Sequence, residues 1–121
     1  MKKLPLIAAI ALSATLFGCS KSELHLAMED MGGSLKAIYQ TESLDEMKTE
    51  INAFFVALDK AKQQVVNPED QDKFQEGLKK VEELALQVKA ALDAGDATTA
   101  KALFPKLKDV KEKYHEEFGV K

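Results

Sequence analysis

Residues 74–115 read FQEGLKKVEELALQVKAALDAGDATTAKALFPKLKDVKEKYH, and the punctuation of this stretch decides the fold. Phe74, Leu78, Val81, Ala85, Val88 and Leu92 recur at steps of three and four, which gathers apolar side chains on one helical face. Ala94-Gly95 then interrupts the pattern, and Gly95 is a natural C-cap because glycine accepts left-handed backbone without a Cβ clash. Asp96 is placed to cap a second helix, whose stripe is Ala100, Leu103, Leu107, Val110 and Tyr114. Two amphipathic helices joined by so short a turn are antiparallel neighbours. Pro105 falls well inside the second one, where it removes a hydrogen bond and crowds the preceding turn. Because the apolar period continues on both sides of it, the spacing predicts a kink rather than a chain break.

The same reading extends upstream. Ser22 is a candidate N-cap for a helix running to about Gln40, with Leu24, Met28, Met31, Leu35 and Ile38 as its seam. Gly32 and Gly33 interrupt it, each costing roughly 1 kcal/mol relative to alanine; a close neighbouring helix, a flat ligand or simple tolerance each explains them. Ser43-Leu44-Asp45-Glu46 is a capping-box pattern, and Leu44, Met47, Ile51, Phe54, Leu58, Ala61 and Val65 follow at helical spacing. Asn67-Pro68 reads as an N-cap followed by proline at the first helical position. Four helices with short connections predict an all-α, antiparallel up-down-up-down four-helix bundle over residues 24–121. No internal repeat or low-complexity segment interrupts it.

The first residues do not belong to that bundle. Lys2 and Lys3 precede an apolar run from Leu4 to Phe17, too short for a membrane span and suited to a signal peptide over residues 1–18. The run ends in Leu16-Phe17-Gly18-Cys19, which resembles a bacterial lipobox, although Phe17 is bulkier than the usual residue there. Lipidation of Cys19, with residues 19–23 as a tether, would anchor the domain to a membrane. Ordinary cleavage nearby would instead leave a free thiol. Cys19 is the only cysteine, so no intramolecular disulfide, thiolate metal site or CxxCH haem attachment is possible. Loss of residues 1–18 removes two Lys and no acid, taking the formal charge from -3 to -5. All basic side chains are Lys. With no Arg for bidentate phosphate or base-edge contacts, nucleic acid is a poor partner.

Met28 and His115 carry the candidate chemistry. Antiparallel first and last helices bring the start of one beside the end of the other, so both residues lie at similar depth near one end. A thioether and an imidazole form an axial pair for haem iron that raises its reduction potential. Each also has a plainer explanation, since Met fills cores and the dipole favours His in a last turn. His25 falls off the seam and reads as an exposed tether residue; Met31 is one turn deeper than Met28, and Met47 reads as core. Glu112, Glu116 and Glu117 read as a solvated face. No carboxylate pair or nucleophile–base pair marks an enzyme.

With these residues in place, the mature chain resembles the cytochrome b562 family of periplasmic four-helix-bundle haem proteins. The resemblance rests on Leu35-Lys36 with Met28 seven positions upstream, and on the run from Phe74 through Ala94-Gly95 to Tyr114-His115. It implies one non-covalent haem b with Met28 and His115 as axial ligands. Met31 and Phe74 match haem-lining positions, Leu78 stands where an aromatic is often found, and Lys111 replaces an Arg one turn before the His. Lack of CxxCH separates the chain from the related cytochrome c-prime bundles. The implied role is electron transfer in the periplasm, as a monomer serving a redox partner protein. A cofactor-free envelope scaffold or adaptor remains open, because the apolar seam could close a bundle by itself. Haem storage or sensing is a third reading.

Overall fold

The computed structural model describes residues 22–118. The expected signal peptide, Cys19, the expected tether up to residue 21 and residues 119–121 lie outside them. Five helical segments form four columns: α1 Glu23–Gln40, α2 Leu44–Lys62, α3 Gln71–Asp93, and a last column of α4 Ala97–Ala102 and α5 Phe104–Phe118. There are no strands among the described residues. The fold is an all-α four-helix bundle.

Local chemistry sets most boundaries. The Ser22 hydroxyl accepts from the His25 N–H at 3.0 Å, and the Ser43 hydroxyl from the Glu46 N–H at 3.2 Å. The Ser43 N–H donates to Thr41 Oγ1 at 3.1 Å, so Thr41 does what the fourth residue of a capping box ordinarily does. Gly95 has φ 77°. Around it the Asp96 N–H reaches Ala91 O at 2.8 Å and the Gly95 N–H reaches Leu92 O at 2.9 Å, the paired bonds of a Schellman ending. Asp96 then caps α4 through the Thr99 N–H at 3.0 Å.

Three expectations need correction. Asn67 does not cap α3: residues 68–70 form a turn, with the Asp70 N–H on Asn67 O at 2.8 Å, and the helix starts at Gln71. Val65 is 87% exposed because α2 already ends at Lys62, and Val66 packs against the core instead. Instead of a kink at Pro105 there is an interruption two residues before it. The fourth column is interrupted at Leu103, whose N–H closes a tight bond to Ala100 O, and α5 starts afresh at Phe104. Pro105 thereby occupies a first helical turn, where a missing N–H costs little.

The core is closed by Ile38, Met47, Ile51, Phe54, Leu58, Val88 and Leu92, all at most 1% exposed. On α1 the buried line is Ala27, Met31, Ser34 and Ile38, while Leu24, Met28 and Leu35 are only partly buried against the core. The expected seam is thus rotated, and Met28 stands at its margin. A Cβ on Gly32 or Gly33 would meet nothing within 4 Å, so neither glycine serves a close helix approach.

Side-chain contacts fix the directions of the columns. The Gln75 amide donates to Lys62 O at 3.2 Å, and Lys62 pairs with Glu82 at 3.1 Å, so the end of α2 meets the start of α3. At the end of α1, Lys101 Nζ donates to Thr41 O at 3.1 Å. The end of α5 returns to the start of α3, where Lys73 pairs with Glu117 at 2.7 Å.

Candidate functional site

The rings of Tyr39 and Phe104 lie 5.7 Å apart, tilted by 35°, and set the register between α1 and α5. Met28 precedes Tyr39 by eleven residues; His115 follows Phe104 by eleven, each pair within one uninterrupted helix. Eleven residues are about three turns and about 16 Å of rise, which returns a side chain to nearly the same face. Met28 and His115 are therefore level with each other, on the faces that Tyr39 and Phe104 turn toward one another. Close backbone approach is extensive between α1 and α2 and between α3 and α5, but nearly absent between α1 and α5.

Both donors are partly buried, each at the margin of the core. Burial first, and then the Lys111 cation one turn away, holds His115 below the ordinary histidine value. Its imidazole is neutral at physiological pH, with a lone pair available. Among the described residues it has no hydrogen-bond or ion-pair partner. Lys111 is exposed. Met31, Phe74 and Leu78 are 7%, 6% and 5% exposed. Met31 lies one turn inward from Met28, while Phe74 and Leu78 sit on the part of α3 that meets the end of α5. The remaining competitors fall away. His25 is exposed and engages Glu29 at 3.2 Å, and Met47 is core at 1% exposure. No group of three or more His, Cys, Asp or Glu is arranged to hold a metal ion among the described residues.

The last turn of α5 is fastened to α3 by contacts the sequence did not single out. The Tyr114 hydroxyl donates to Glu76 Oε2 at 2.5 Å. Its ring lies over Gly77, where a Cβ would come within 3.0 Å of Tyr114 Cγ and Cδ1. Glu117 is an anchor to Lys73 and not simply part of a solvated face. A glycine inside an otherwise helical pattern was the one available signal, since it marks close approach of another element. Elsewhere a hollow of about 500 Å³ opens between α1 and α2, rimmed by Asp30, Glu50 and Lys60. It contains neither candidate donor.

The donor set suits haem iron: one soft thioether, one neutral imidazole without a competing partner, and apolar side chains nearby. A bundle with this pair on facing outer columns has the make-up of a haem-carrying helical protein. The family model described as Cytochrome b562 matches residues 23–119, and the chain belongs to that family. Comparison with curated proteins returns no match. The family comprises haem b-binding electron carriers, generally periplasmic, and not classical enzymes.

Proposed function

We propose that the mature protein is a periplasmic electron carrier that holds one non-covalent haem b through Met28 and His115. What supports this most is the register: each donor lies about three turns from the Tyr39–Phe104 contact, toward the same end, on two helices with little close backbone approach. The haem would supply a one-electron Fe(III)/Fe(II) couple, and a thioether ligand raises its potential. Met28 and His115 would hold the haem iron between them, which would suit electron transfer and not substrate binding. Met31, Phe74 and Leu78 would exclude water from the macrocycle, and exposed Lys111 would present a cation near its rim. A redox partner protein would approach that rim. Acylation of Cys19 would confine the carrier to a membrane surface; an unacylated mature N-terminus in mass spectrometry removes that element alone.

Haemin titrated into the purified mature protein tests the reading. The expected product is a six-coordinate, low-spin b-type spectrum with a sharp Soret band. Met28→Ala and His115→Ala should each convert it to a high-spin or weakly bound form. Absence of a Soret shift in the unsubstituted protein, or unchanged spectra in both variants, sinks the proposal. The closed core favours one other reading, a cofactor-free envelope scaffold, which a colourless protein indifferent to haemin would support.

A further inference from the structure

Glu76 lies on α3, is exposed, and belongs to neither the core nor the donor pair. Its carboxylate nevertheless accepts the hydroxyl hydrogen bond of Tyr114, a residue only 5% exposed that directly precedes His115. We propose that Glu76 is a positioning residue for His115, acting through Tyr114 to fix the rotation of the last turn of α5; this rests on the haem reading above.

The argument starts from what His115 lacks. A metal-bound imidazole usually donates its second N–H to a carboxylate or carbonyl, which fixes the ring orientation. No such partner engages His115 among the described residues. Its aim therefore depends on the helix that carries it. That helix segment is a last turn, where backbone carbonyls run out of intrahelical partners and fraying is ordinary. Three contacts oppose fraying here. Tyr114 is hydrogen-bonded to Glu76, its ring is seated on Gly77, and Glu117 is paired with Lys73. They bracket His115 in sequence and all land on residues 73–77. The Gly77 seat sets how close the two helices come. The Tyr114–Glu76 bond, at the far end of the ring, sets how α5 is turned.

The test uses the haem-loaded mature protein with Glu76→Ala, Glu76→Gln, Tyr114→Phe and the Glu76→Ala/Tyr114→Phe double variant. Tyr114→Phe keeps the ring on Gly77, and Glu76→Gln keeps an acceptor oxygen, so both preserve packing. Two readouts are followed: the rate of haem transfer to an apo-globin, and the ferric low-spin EPR g values, which respond to the axial imidazole plane. Glu76→Ala and Tyr114→Phe should each speed haem loss by about 10-fold, within the range for partners that orient a metal ligand, and broaden or shift the g values. The double variant should be no worse than either single one, and Glu76→Gln should stay near the parent. Parent-like rates and g values in Glu76→Ala and Tyr114→Phe overturn the proposal while leaving the haem reading intact. Additive effects, or Glu76→Gln behaving like Glu76→Ala, overturn it as well. If the parent protein takes up no haem, both readings fall together.

Discussion

Tyr39 and Phe104 meet ring to ring at the end of α1 and the start of α5, and Lys101 sits 5.8 Å above the Tyr39 ring. The same Lys101 donates to Thr41 O, so one side chain closes the end of α1 from the fourth column. This cluster ties the first and last helices together at the end remote from Met28 and His115. Aromatic pairs of this kind contribute about 0.5–1.5 kcal/mol beyond area burial. A double-mutant cycle on Tyr39→Ala and Phe104→Ala, read by urea denaturation, should show a coupling of about that size. A coupling indistinguishable from zero would show that the rings are merely adjacent and do not hold the register.

The glycines separate into two kinds. At Gly77 an added Cβ would sit 3.0 Å from the Tyr114 ring, so Gly77→Ala must displace α5 or the ring. Overpacking of this type costs about 1–3 kcal/mol, more than the helix-propensity gain of about 1 kcal/mol. Gly32→Ala and Gly33→Ala face open space and should each stabilise the haem-free protein by about 0.5–1 kcal/mol. Denaturant midpoints of the three variants check the opposite signs.

Much of this architecture was legible from residues alone, for reasons that differ by element. The stripes on α2 and α3 are strong because most of their periodic apolar positions are buried, although Val56 and Leu86 are exposed, and Gly95 has the positive φ its place in the pattern requires. Periodicity located Met28 and His115 at one end but could not assign the buried line on α1 to Ala27 and Ser34, since a small or polar side chain gives no hydrophobic signal. Proline misled twice for the same reason. Pro68 and Pro105 each fit a first turn, and local chemistry alone does not say whether the helix starts there, later, or one residue earlier. Glu76 was invisible because its partner is 38 positions away and its own surroundings look like any exposed helix face.

The capping groups offer a direct comparison between pattern and structure. Ser43 satisfies an otherwise unpaired N–H at the start of α2. Ser43→Ala should therefore lower stability by about 1 kcal/mol. Asn67 fits the same pattern, yet α3 starts four residues later, so Asn67→Ala should change stability by no more than about 0.5 kcal/mol. Equal losses in the two variants, measured by thermal unfolding, would place the start of α3 at Asn67 after all.

The Tyr114–Glu76 bond also predicts the pH dependence of the haem-free fold at both extremes. The hydrogen bond to Glu76, then burial, pushes the Tyr114 hydroxyl from 10.0 up to about 12. A raised pKa in the folded state means that folding retains a proton the unfolded chain has lost. The contribution is complete below pH 10 and disappears as pH rises toward about 12. Glu76 shifts the other way. Donation from Tyr114, ahead of nearby lysines, holds its carboxyl below 4.5, so its contribution is present above that pH and fades as acid protonates it in the folded state. The difference in unfolding free energy between the parent and Tyr114→Phe should thus be greatest between about pH 5 and 10. It should shrink on both flanks. Urea denaturation of the two proteins across this range cancels the other titrating groups to first order. A difference that stays constant from acid to alkali would mean that Tyr114 contributes through its ring on Gly77 and that the hydrogen bond adds nothing.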